Sequence, residues 1–146
     1  MREKFPDEFI KYGEFKLHSG WRSNAFYDVQ ELLADPKYGR FIASNIPPSP
    51  HYIGIATGGA LMAEAAYEKN PTKISIILNG KLLGSKPRGE WLLVEDAIVT
   101  GSTLRGAPRI VESNPTGIIV AIDRRWRNQS PFAISIFQPC PAWLLF

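Results

Sequence analysis

Cysteine is nearly absent from this 146-residue chain: Cys140 is the single one. An internal disulfide and a cysteine-built metal cluster are therefore excluded, and a reducing cytoplasm is the expected compartment. Histidine is scarce too. His18 and His51 have no recognisable acid or nucleophile partner in the sequence, and Cys140 stands in a proline-rich tail, so no nucleophile triad is indicated. No apolar run reaches the roughly 20 residues that a membrane-spanning helix needs, and the start, Met1-Arg2-Glu3-Lys4, is too charged for a leader peptide. Charge of one sign is not clustered either. The formal net charge is +3 and the basic residues are scattered, which suits a small anionic ligand and gives no nucleic-acid footprint. Repeats and low-complexity tracts are absent.

What remains is ordinary globular composition, 45% hydrophobic and 21% charged, in a length that predicts one domain over 1–146 burying roughly two-thirds of its unfolded surface. Residues 1–50 carry aromatic and charged residues without clean periodicity, then a helix over 36–45. The run Ile46-Pro47-Pro48-Ser49-Pro50 is the loop that precedes a core over 51–146. Within that core, apolar runs at 52–56, 73–78, 91–94, 118–122 and 133–137 predict strands, and helical spacing predicts helices over 60–69 and 103–112. Residues 79–90, with three glycines and a proline, are expected to form a loop. Strands alternating with helices imply a mainly parallel α/β sheet whose ligands lie beyond the carboxyl ends of the strands.

The most informative segment is 91–103, Trp-Leu-Leu-Val-Glu-Asp-Ala-Ile-Val-Thr-Gly-Ser-Thr. A buried strand breaks into adjacent acids, Glu95 and Asp96, and then into a small hydroxyl-rich turn whose Ser102 or Thr103 suits the cap of a helix. Exposed N–H groups at that helix start attract an anion. The acids must face something else, because a carboxylate about 4 Å from a phosphate charge is repelled by roughly 4 kcal/mol at an effective dielectric near 20. Neutral sugar hydroxyls fit, each donating a charge-assisted bond worth about 1.5–3 kcal/mol. A phosphate with a diol nearby describes a ribose 5-phosphate. A second segment, Ile53-Gly54-Ile55-Ala56-Thr57-Gly58-Gly59-Ala60-Leu61, places glycines where a strand gives way to a helix. Two uses are open there: close backbone approach to an anion, or tight packing alone. Neither a Walker ending nor a GxGxxG fingerprint is present.

Residues 91–103 resemble the thirteen-residue phosphoribosyl-diphosphate (PRPP) signature of type I phosphoribosyltransferases, with Val99 and Ser102 where threonine and glycine are commoner. Residues 56–59 resemble that family's pyrophosphate loop. Two further stretches are similar to orotate phosphoribosyltransferases: residues 15–28, with Phe15, Leu17, Ser19-Gly20, Ser23 and Phe26-Tyr27, and the pair Asp123-Arg124. The resemblance implies a type I phosphoribosyltransferase fold, a mainly parallel central sheet flanked by helices with a small N-terminal hood. It implies transfer of a phosphoribosyl group from PRPP to a pyrimidine base, orotate above all, with Mg²⁺ and as a homodimer.

By the same resemblance Glu95 and Asp96 hold the ribose hydroxyls near the metal, and Val99, Thr100, Gly101, Ser102 and Thr103 cradle the 5-phosphate. Ala56, Thr57, Gly58 and Gly59 hold pyrophosphate, and Arg124 selects the base, with a solvated cluster shared with Arg125 and Arg127 as the alternative. The family's long loop with an Arg-Lys pair is cut short. Lys81, Lys86 and Arg88 are what remains, either to neutralise pyrophosphate or as solvated loop charges, and His18 stands where relatives often have lysine. A non-catalytic PRPP-binding homologue and a transferase for another base are the other two readings. The apolar tail 142–146 belongs to core or interface.

Overall fold

A computed structural model of the chain describes residues 3–16, 22–125 and 131–138. The expected turn at Ser19-Gly20, His18, Arg127, Cys140 and the 142–146 tail lie outside the described residues.

The chain opens with a single 3-10 turn and two strands, β1 (Ile10–Lys16) and β2 (Arg22–Tyr27), paired antiparallel as a two-stranded sheet of their own. Helices α1 (Val29–Leu33) and α2 (Pro36–Ser44) follow. Each has an acid at its start: Asp28 accepts from the Glu31 N–H and Asp35 from the Lys37 N–H, both at 3.0 Å, and Pro36 occupies the first turn of α2, where its missing donor costs nothing. The main sheet then assembles from β3 (His51–Ile55), β4 (Lys73–Leu78), β5 (Lys81–Leu83), β6 (Leu92–Ile98), β7 (Gly117–Asp123) and β8 (Ile134–Ser135), in the order β5-β4-β3-β6-β7-β8. All pairings are parallel except β4 with β5. Helices α3 (Gly58–Lys69) and α4 (Ser102–Val111) are the crossovers after β3 and β6.

The central strands are apolar throughout because both faces are covered. Leu92, Val94, Ile119 and Ala121 pack with Val29, Leu32, Ile42, Met62 and Ala66 from α1, α2 and α3. Their neighbours Leu93, Ile118 and Val120 pack on the opposite face with Leu104, Ala107 and Val111 of α4. One-residue alternation along each strand thus feeds two cores.

Two expectations need correction. Residues 79–90 are not wholly loop: Asn79 and Gly80, at φ 49° and 76°, make a two-residue turn of the primed kind that twists with the strands it joins, and β5 returns along β4. Gly58 and Gly59 are not in a turn before the helix but form its first turn. Glycine is needed there for closeness. A Cβ on Gly59 would lie 2.4 Å from the Val94 carbonyl oxygen, and one on Gly54 would lie 2.4 Å from the Gly59 carbonyl oxygen.

His51 also has a partner that the sequence hid. Its Nε2 lies 2.8 Å from the Ser75 hydroxyl, which itself donates to the Ser85 carbonyl at 2.7 Å. With its proton so used, Ser75 accepts from a neutral imidazole protonated at Nε2. Burial first, and the charge of Lys73 second, push the His51 pKa below its usual 6.5. Above pH 6.5 the ring is neutral folded or unfolded. As pH falls through 6.5 toward the lower native value, the unfolded chain takes up a proton that the native one refuses, so stability declines with a slope of at most about 1.4 kcal/mol per pH unit. His51→Gln is expected to flatten the urea-midpoint profile as pH falls below 6.5; an unchanged slope would refute the assignment.

Candidate active site at the carboxyl ends of the strands

The acid pair ends β6, and its two members have different surroundings because successive side chains leave a strand on opposite faces. Glu95 is buried at 7% exposure, and its Oε1 accepts from the Asp96 N–H at 2.8 Å. Burial first, and hydrogen bonding to Asp96 second, push its carboxyl up to about 10, so it holds a proton at neutral pH. Asp96 is half-buried and faces a cleft, its Oδ1 accepting from the Ala97 N–H at 2.8 Å.

That cleft lies between Phe26, Tyr27 and Asp28 on one side and the segment from Asp96 to Leu104 on the other. Val99, Thr100, Gly101, Ser102 and Thr103 all line it. Gly101, at φ 85°, ends the turn and begins α4, and no side chain caps that helix. Apart from the Ser102 N–H, the first N–H groups of α4 have no side-chain partner among the described residues, and with the positive end of the helix dipole behind them they could take an anion. Within the turn, Thr100 Oγ1 lies 3.2 Å from Ser102 Oγ and accepts from the Ser102 N–H at 3.4 Å.

A second helix start adjoins the first. The Ala56–Thr57 peptide is cis, Thr57 precedes α3 without a side-chain cap, and a Cβ on Gly58 would lie 2.1 Å from Asp96 Oδ2. Only a residue without a side chain lets the first turn of α3 touch the half-buried Asp96 carboxylate. The structure therefore gathers residues 56–59, the acid pair and residues 99–103 at one place, beyond the carboxyl ends of β3 and β6, each fixed by the strand that precedes it.

Arg124, just past β7, is buried at 2% exposure and reaches the N-terminal sheet. Its Nη1 donates to the Ala25 carbonyl at 3.1 Å and its Nη2 to Ser23 Oγ at 2.9 Å, and the guanidinium stands 4.7 Å over the Tyr27 ring. Its Nε is a buried donor without a partner among the described residues. No carboxylate pairs with Arg124 among the described residues; Asp123 is engaged by Arg125 at 2.8 Å. Arg124 thus lies behind Tyr27, which lines the cleft, and not in a solvated cluster with Arg125, which is buried as well.

The three loop cations part company. Lys81 pairs in register with Leu78 next to the hairpin turn, at the carboxyl end of β4 and so on the same end of the sheet as the cleft. Lys86 forms an ion pair with Glu112, which caps the far end of α4, about 15 Å along a ten-residue helix from the turn at residues 99–103. Arg88 precedes Trp91 at the amino end of β6 and is exposed. Neither Lys86 nor Arg88 is brought to the cleft, because β5 carries the chain away from it; of the two uses open to them, their placement fits that of exposed loop charges. Arg105 belongs to the site's framework without having been singled out, whereas Ser23 and Tyr27 stood in the 15–28 stretch with no role assigned to either. For Arg105 a signal was present, since four residues past Gly101 on a helix is one turn, and side chains lean back toward the helix start.

Comparison with known proteins agrees with this geometry. No family model matches the chain. It is 30% identical over 135 residues to the orotate phosphoribosyltransferase of Pyrococcus abyssi, spanning 79% of this chain and 74% of that one. It is 29% identical over 149 residues to that of Hahella chejuensis, spanning 84% and 68%. The crystal structure of orotate phosphoribosyltransferase from Aeropyrum pernix superposes with a TM-score of 0.69 over 80% of this chain and 77% of that one, at 23% identity. With two helix starts that lack a side-chain cap meeting an acid pair in a mainly parallel sheet, and relatives that match over most of their length, the chain belongs to the orotate phosphoribosyltransferase family of type I phosphoribosyltransferases, which are pentosyltransferases.

Proposed function

We propose that this protein transfers the 5-phosphoribosyl group of PRPP to orotate. The bond from the sugar's anomeric carbon to the diphosphate breaks, a bond from that carbon to a ring nitrogen forms, and the nitrogen's proton leaves to solvent. The observation that carries the reading is the contact of Gly58 with Asp96, which joins the two anion-binding turns to one open carboxylate. Asp96 accepts from a ribose hydroxyl, the 99–103 turn holds the 5-phosphate, the start of α3 holds the diphosphate, and neutral Glu95 supports Asp96 from behind through its backbone. No covalent intermediate is required; positioning and fixed dipoles supply the acceleration.

Among the described residues no three metal-ligating side chains converge. A Mg²⁺ carried by the diphosphate oxygens fits one open carboxylate, and Asp96 is the residue to meet it. When bound, the metal would neutralise the leaving diphosphate. An anionic base is favoured because Arg124 is a buried guanidinium with an unused Nε and no carboxylate beside it among the described residues. Such a charge is costly until an anion compensates it.

The test is pyrophosphate release from PRPP and Mg²⁺ with orotate, uracil and adenine in parallel, alongside calorimetry of PRPP binding. Orotate is expected to be preferred, and Arg124→Met, which keeps the stem, is expected to cost about 10–100-fold in orotate kcat/KM while PRPP affinity stays within about threefold. Equal use of uracil would sink the base assignment. A second reading, PRPP binding without turnover, is favoured by one observation, the placement of Lys86 and Arg88 away from the cleft. Tight PRPP binding with no release for any base would select it.

A further inference from the structure

The peptide between Thr100 and Gly101 decides whether the phosphate turn offers the cleft a donor or an acceptor. It is trans, so its C=O and N–H point in opposite directions. With the carbonyl turned away from the cleft the Gly101 N–H faces in; the flipped peptide would present an oxygen to an anion. Glycine does not choose between these, since it populates both signs of φ readily, and Gly101 sits at φ 85°.

Arg105 supplies the choice. Its Nη1 donates to the Thr100 carbonyl at 3.0 Å, while its backbone N–H donates to the Gly101 carbonyl at 3.0 Å. The guanidinium lies across the turn, so that a Cβ on Gly101 would be 3.0 Å from Arg105 Nη1 and 3.6 Å from Arg125 Nη1. Arg125 is itself held by Asp123 and by the Pro131 carbonyl at 2.8 Å. Arg105 does not line the cleft, whereas Thr100 and Gly101 do. The Thr100 carbonyl is therefore drawn out of the cleft and the Gly101 N–H is directed into it.

We propose that Arg105 is a positioning residue for substrate phosphate, locking the Thr100–Gly101 peptide so that the Gly101 N–H meets the 5-phosphate of PRPP. This rests on the reading of the cleft given above. Loss of the lock lets the peptide flip, which weakens ground-state and transition-state binding alike and so appears in KM and not in kcat.

Arg105→Gln and Arg105→Lys are the test variants: the glutamine amide donor stops two bonds short of Nη1 and so does not reach the Thr100 carbonyl, whereas the lysine ammonium extends one bond further. Arg105 is exposed, so both are expected to melt within about 2 °C of the parent protein. Arg105→Gln is expected to raise KM for PRPP about 5–20-fold with kcat within about twofold, and Arg105→Lys to recover most of it. A readout free of turnover is the Gly101 amide resonance during titration with inorganic phosphate, expected to shift in the parent protein and in Arg105→Lys but not in Arg105→Gln. An equal Gly101 response and equal KM in Arg105→Gln would overturn the positioning role alone. A silent Gly101 amide in the parent protein would overturn the role together with the cleft's assignment to PRPP.

Discussion

Gly59→Ala is expected to lower the melting temperature by about 5–15 °C and to abolish measurable PRPP binding at substrate concentrations that saturate the parent protein, because overpacking at a helix–sheet contact costs about 1–3 kcal/mol or more. The added methyl would lie 2.4 Å from the Val94 carbonyl oxygen and 3.0 Å from the Glu95 Cα. Both are backbone atoms of the central strand β6, which is paired on either side and has no room to yield. The helix must lift instead. Lifting α3 separates Gly58 from Asp96, so stability and ligand binding fall together, and thermal unfolding with PRPP calorimetry on the same preparation checks both. Gly106→Ala, at an exposed position in α4 where a Cβ meets nothing within 4 Å, is the control that should leave both unchanged or slightly improved. A Gly59→Ala protein that melts like its parent would show that α3 does not rest on β6 as closely as described.

The same glycines show how far the sequence could be read. That they lay at a strand-to-helix junction was legible, since the apolar run ends at Ala56 and helical spacing begins soon after. That they are the helix's own first turn was not, because only the approach of β6, some 35 residues away, requires them to lack side chains. The hydroxyl-rich turn at 99–103 and the acid pair were legible in outline for a related reason: strand, acids, turn and helix start follow one another within thirteen residues. Partnerships across long separations were not. Nothing in the residues around Lys86 points to Glu112, nothing near His51 points to Ser75, and nothing near Arg124 points to Ser23 and Ala25, a hundred residues earlier. Short elements were lost as well. The Asn79-Gly80 hairpin signal was present but is followed by Gly84, Pro87 and Gly89, whose composition argues for loop. Helix α1 has only five residues, too few for any period to emerge, although Asp28 and Glu31 have the spacing of a helix start.

Asp96 and Glu95 are adjacent and both acidic, yet their amide variants are expected to behave in opposite ways. Asp96 is the carboxylate that faces the cleft, and a sugar hydroxyl donating to a charged oxygen is worth about 1.5–3 kcal/mol more than one donating to nothing. Asp96→Asn keeps the shape, and its fold should survive, but kcat/KM for PRPP is expected to fall about 10–150-fold. Glu95 is neutral in the native state, with its carboxyl pushed up to about 10 by burial and by Asp96, so glutamine reproduces its charge and nearly its shape. The unfolded chain ionises this group near 4.5. A native pKa above the unfolded one means that the native state binds the extra proton between those values, so the group's contribution is complete below pH 4.5 and is lost as pH rises toward 10. Glu95→Gln removes that loss. In metal-free buffer it is expected to raise stability at pH 8 relative to the parent and to leave it unchanged near pH 4.5, with activity reduced far less than in Asp96→Asn. Urea midpoints at the two pH values and steady-state rates for both variants decide it: if Glu95→Gln is destabilised at pH 8, or if the two variants lose activity equally, the division of labour between the acids is refuted.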